Sequence, residues 1–239
     1  MDALSLFVDG VYRQVVAFAV AVFALGLLVM AIIQSVKDLL PVRRWFHRSF
    51  IRAWLAHKAR DHMQNGGAQV SPDAALTDLI ALATTGDAHA LFDLPAEQLA
   101  AQVAAAASES LDFPTRHDAL LRCLTASADP HDVDLVMTAE TGASHAPTDP
   151  AIVDARTRLL HHTQRSVDAL QIAAGYRWKW YMQLSSFALA SAIAVLAMAT
   201  DGVDSSRTSA ALYALPLGLA GGFVAPVARD FIAAWTRRG

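Results

Sequence analysis

Residues 15–33 read VVAFAVAVFALGLLVMAII, from Val15 to Ile33, about 19 positions without a charge, an amide or a hydroxyl. At the helical rise of 1.5 Å per residue this run matches the hydrocarbon thickness of a bilayer. It predicts a transmembrane helix, and with it an all-α integral membrane protein. An N-terminal signal peptide is the alternative. The apolar core is too long for that, the preceding tail is acidic rather than basic, and no small-residue cleavage site follows.

Two later stretches have the same length and character: Trp180–Ala199 (WYMQLSSFALASAIAVLAMA) and Ala210–Ala228 (AALYALPLGLAGGFVAPVA). Gln183, Ser185, Ser186 and Ser191 dilute the former, for which a buried helix of a soluble protein is the rival reading. Its flank favours a membrane, because Arg177, Trp178, Lys179, Trp180 and Tyr181 place amphipathic rings and snorkelling cations at headgroup depth. Trp235, Arg237 and Arg238 repeat that pattern after the third stretch.

Lysine and arginine collect after the first apolar run, about seven of them between Lys37 and Arg60, while the N-terminal tail has only Arg13 beside Asp2 and Asp9. That asymmetry predicts a multi-pass protein of a bacterial-type inner membrane, N-terminus outside and C-terminus cytoplasmic. The expected organisation is an outer tail (1–14), transmembrane helix 1 (15–36), a basic interfacial helix (37–63) and an acidic helical cytoplasmic domain (64–179). Transmembrane helix 2 (180–199), an outer loop (200–209), transmembrane helix 3 (210–228) and a cytoplasmic tail (229–239) complete it.

Within the basic segment Phe46, Phe50 and Trp54 recur every four residues, with Arg44, Arg48 and Arg52 on another side. With Trp45 and Trp54 this suits a helix lying among anionic inner-leaflet headgroups. A solvated helix packing its aromatic face on the following domain is the alternative. From Asp61 to Gly175 there are about 16 acidic residues against about five arginines, a formal charge near −11. Such a field excludes nucleic acid as a partner and favours a basic cytoplasmic protein, captured less well as salt rises.

The segment has no β-branched alternation, so short helices are expected. Asn65-Gly66-Gly67 marks a turn, and Ser71-Pro72 opens a helix through Thr84. Asp93 and Pro95, Pro114, and Asp129-Pro130 open three more, and residues 141–150 form a loop. From Ala151 the helical pattern runs unbroken through Tyr176 into the second apolar stretch, which predicts one long helix.

Chemistry is sparse. His57 and His62, and the adjacent His161 and His162, are spaced to diverge on a helix rather than to share a metal. Asp129–Glu140 has the length of a calcium loop, but His131 and Val133 stand at ligand positions and Asp134 where glycine is required. Gly142–Ala146 lacks the second glycine of a nucleophile elbow. The lone Cys123 reads as a buried structural thiol. No catalytic, cofactor-binding or metal site is expected, and no enzyme activity.

Transmembrane helix 3 is the exception to plain anchoring. Gly218, Gly221 and Gly222 lie between Pro216 and Pro226, a small-residue surface that admits another helix closely. Each proline frees the carbonyl four residues earlier, on Leu212 and Gly222, and in hydrocarbon that oxygen needs a donor. The helix therefore either packs within protein or lines a wet path. Arg229 and Asp230 near its inner end read as a local ion pair or as pore-mouth charges.

Three spans, a basic exit from the first, a long helix feeding the second, and the third reading GLAGGFVAPVARDF over Gly218–Phe231 resemble the ExbB/TolQ/MotA proton-channel family. The resemblance implies a multimeric inner-membrane subunit that works with a partner helix to turn proton flow into mechanical work. The residue match is confined to the surroundings of Gly218, Leu219 and Pro226; the second span lacks the family's glycine-rich segment with its polar threonine, and no span holds a carboxylate. The function expected from the residues themselves is a homo-oligomeric membrane anchor or scaffold, assembled through its small-residue faces and presenting its acidic domain to a partner. An ion-channel or stator-like subunit is the alternative, and a membrane-bound enzyme comes last.

Overall fold

The structure, a computed structural model, describes residues 3–141, 149–200, 216–224 and 227. The described residues are all helical or connecting, with no strand among them. The chain forms two compact units, one of Met1–Leu40 with Trp178–Gly239 and the other of Pro41–Arg177.

Helix α1 runs over Ala3–Leu39 and ends where Pro41 removes a backbone donor; α2 then spans Val42–Gln64. Ser71 Oγ accepts from Ala74 N and Pro72 takes the first helical position, which starts α3 (Pro72–Thr84) at the residue its sequence dictates. The short α4 (Ala88–Asp93) was not expected. Asp87 starts it by accepting from the backbone of His89 and Ala90, and Pro95 then separates it from α5 (Ala96–Asp112). Pro114 does not begin a helix; residues 114–117 form a turn and α6 covers Asp118–Leu124. The reason is local: His117 takes φ −119°, outside the helical well, and its side chain provides no cap. Asp129 Oδ1 accepts from His131 N at the start of α7 (Pro130–Thr141). Helix α8 is continuous over 51 residues, Pro150–Thr200, and contributes to both units.

In the Pro41–Arg177 unit the core is aliphatic and sealed. Ile51 and Leu55 from α2, Leu79 from α3, Leu91 and Phe92 from α4, and Leu120 and Leu124 from α6 are fully buried together. Each such side chain stabilises the fold by roughly 1.5–3 kcal/mol. Cys123 lies in the same core, where burial pushes its thiol up to about 12 and leaves it inert as a nucleophile.

This packing corrects two readings of the basic segment. Phe50 is buried in the core and Phe46 and Trp54 pack against it, so the aromatic stripe faces protein and is not free to lie among headgroups. The segment is not a domain apart from the acidic one either. Arg44 pairs with Asp93 and Arg52 with Asp73, each at 3.0 Å. Charges that alternate in blocks along the chain are mixed in space, and the folded unit carries 16 acidic residues with 12 lysines and arginines.

Among the described residues two helices are long and apolar enough to cross a membrane, Asp9–Leu39 of α1 and Pro150–Ala197 of α8, the latter shared by both units. Only 17% of the apolar window of α1 is buried, with Val11, Val15, Phe18, Val20, Phe23 and Leu28 exposed. Of the expected third helix, residues 216–224 and 227 are described, and they are helical.

Candidate functional site: a small-residue helix junction

The glycines singled out in the third apolar stretch meet the other two helices of their own chain. A β-carbon on Gly218 would stand 2.5 Å from the Cα and the Oγ of Ser191, and one on Gly222 would stand 2.8 Å from the Cα of Phe187. These two glycines, four apart, oppose two α8 residues four apart in the reverse order, so the helices run antiparallel in register. Gly221, on the neighbouring face, would meet Leu25 of α1 at 2.8 Å. Contacts with backbone cannot be relieved by turning a side chain. Glycine is therefore required at 218 and 222 for this approach.

Around the glycines Val29 of α1 and Ala190 of α8 are fully buried, with Leu25, Met30, Ile33, Leu189 and Ile193 packed against them. Ser186 is buried beside them, and its Oγ donates to the carbonyl oxygen of Gly222 at 3.0 Å. That oxygen is the one whose helical donor, four residues on, is replaced by a proline. Ser185, one position earlier, is exposed and turns back to the carbonyl of Tyr181 on its own helix at 2.7 Å. Two adjacent hydroxyls thus have different work: one satisfies its own helix, the other joins two helices.

The role of Ser186 was missed from sequence, where the hydroxyls of the second stretch count only as dilution. The available signal was the orphaned carbonyl on Gly222. The first apolar run has no hydroxyl or amide, so the donors on offer within the apolar stretches lie mainly at Gln183, Ser185, Ser186 and Ser191.

Pro216 is exposed, while Pro226, Arg229, Asp230 and Trp235 lie outside the described residues. Gly218, Gly221 and Gly222 pack against Ser191, Leu25 and Phe187 of their own chain. Trp45 is 62% exposed, and Arg48, Lys179 and Trp180 are exposed too. The Trp180 ring meets Tyr181 edge-on at 6.3 Å, and Trp178 is half-buried. Arg177 lies over the ring of Phe50 at 5.3 Å, a cation–π contact that ties it to α2.

Chemically the junction offers hydroxyl, aliphatic and aromatic groups, and among its described residues none that titrates near neutral pH. Its geometry serves close approach of helices. Comparison of the chain with protein-family models, with characterised proteins and with solved structures finds no match.

Proposed function

We propose that this protein is a three-span inner-membrane anchor that holds a folded helical domain in the cytoplasm as a scaffold for a partner. The observation that carries this reading is the junction itself. The freed carbonyl of Gly222 is satisfied by the buried hydroxyl of Ser186, and the glycines seat against Ser191, Phe187 and Leu25. A helix so bonded favours packing over a wet path. The exposure of α1 supports the membrane, because a helix this apolar in a soluble core would be mostly buried. The excess of lysine and arginine after α1 supports the N-out, C-in orientation.

An ion-conducting or stator-like subunit is the rival, and it rests on the resemblance in the third stretch. The two readings separate in proteoliposomes. An anchor stays in the membrane through a carbonate wash and leaves ion flux at the level of protein-free vesicles. Flux that depends on Gly222 or Ser186 would overturn the anchor and select the rival.

A further inference from the structure

Helix α8 carries Arg158, His161, His162 and Arg165, spaced so that they fall along one face of the helix. All four line a cleft of about 350 Å³ whose other wall is the α6–α7 link and the first turn of α7, with Ser127, Asp129 and Asp132. Adjacent histidines that look divergent in sequence therefore share one wall.

The cleft holds two arginines, Arg158 and Arg165, and two aspartates, Asp129 and Asp132, which are engaged to different degrees. Asp132 is buried and takes two donors from Arg158, at 2.5 and 2.8 Å, so that pair is internally neutral. Asp129 uses one oxygen to cap α7. Arg165 is exposed and makes no ion pair among the described residues, and neither does the half-buried Lys58 of α2. Nε2 of His162 is enclosed and has no hydrogen-bond partner among them. Burial first, then the cations of Lys58 and Arg165, hold the imidazole below its ordinary proton affinity. In a unit with more carboxylates than cations, unpaired positive groups gathered beside an enclosed imidazole and an open cleft are out of keeping with their surroundings.

We propose that this cleft binds a small anion bearing a phosphate group, held by the guanidinium of Arg165 and the imidazole of His162, with the Ser127 hydroxyl at its mouth. The volume is at the lower end of small-molecule pockets. The planar guanidinium fork suits a tetrahedral oxyanion, and so does an imidazole N–H once the His162 ring turns toward the cleft. A bound anion also raises the proton affinity of His162, so binding strengthens toward mildly acidic pH. The charged groups acting on that imidazole are Lys58 from α2 and Arg165 from α8, and Arg158, His161, Asp129 and Asp132 are the other titratable groups lining the cleft.

The test is calorimetric titration of the full chain, in phosphatidylcholine nanodiscs, with inorganic phosphate and pyrophosphate. Saturable binding is expected, weakened about ten-fold by R165Q and again by H162Q, and unchanged by R48Q. Unaltered helical circular dichroism in the variants shows that the fold is kept. Absence of saturable heat, wild-type affinity in both R165Q and H162Q, or saturable uptake of magnesium or calcium with no phosphate binding would each overturn the proposal. Phosphatidate added to the nanodisc identifies the source: competition with phosphate points to a lipid headgroup, and its absence to a soluble phosphate compound.

Discussion

Residues 41–177 bury Phe92, Ile51, Leu55, Leu79 and Leu120, while the unit of residues 1–40 and 178–239 buries Val29, Ala190 and three glycines and leaves Phe18, Val20, Phe23 and Leu28 outside. On the proposed membrane reading, the contrast follows from the solvent each unit suits. In water, large apolar side chains gain by leaving the solvent, so a core of leucines drives folding. Between helices in hydrocarbon that gain is absent, and association rests on close backbone approach and hydrogen bonds. Small residues in one unit and large ones in the other are two answers to one requirement, the exclusion of the local solvent from the helix contact.

Overpacking the glycine contact should have the largest effect. Gly222→Leu puts a side chain where a β-carbon alone would be 2.8 Å from the Phe187 backbone, and about 3 kcal/mol or more of stability in detergent should be lost. Thermal unfolding and protease resistance of the full chain would show it, and wild-type stability would mean that the helices do not meet there. In the other unit the sensitivity is to deletion. Leu79→Ala should cost about 2–5 kcal/mol in chemical unfolding, because the sealed core cannot collapse around the gap.

Acid should act on the Pro41–Arg177 unit through its buried imidazoles. Burial, and to a lesser degree the charge of Arg43, hold His47 below its ordinary proton affinity, opposed by its hydrogen bond to the Phe92 carbonyl at 3.1 Å. The unfolded chain then binds the proton more readily than the folded one. The stability contributed by neutral His47 is present above about pH 6.5 and falls as the pH drops through the lower, folded-state value. His47→Gln should flatten that acid limb, and an unchanged pH profile would remove His47 as its source.

The smaller effects sharpen the contrast further. Ser186→Ala should cost roughly 0.5–2 kcal/mol by orphaning the Gly222 carbonyl, whereas Ser185→Ala should be near neutral, a difference that stability in bilayers or detergent can resolve. Last, Val20→Ala on the exposed face of α1 should change stability by less than about 0.5 kcal/mol if that face meets lipid, since the methyls would leave hydrocarbon for hydrocarbon. A core-like loss at Val20 would show that protein covers it.

Much of the local structure was legible along the chain. The cap and proline at Ser71-Pro72, the break at Pro41 and the unbroken pattern from Ala151 are short-range signals, and α3, α2 and α8 begin or continue where they direct. The three glycines were recognisable as a close-approach surface for the same reason. The partner of that surface was not legible, because antiparallel register with Phe187 and Ser191 depends on which helices meet. The same holds for α2, whose stripe of Phe46, Phe50 and Trp54 suits a lipid headgroup layer and a protein core equally well.

By itself the sequence determined helix, apolar length and charge order, since capping, periodicity and side-chain polarity act over a few residues. Only the tertiary structure decided that Arg44 and Arg52 neutralise Asp93 and Asp73, that Ser186 rather than Ser185 serves the Gly222 carbonyl, and that Arg158, His161, His162 and Arg165 wall one cleft. Those outcomes depend on distances between residues about 20 to 50 positions apart, which packing settles and local chemistry does not.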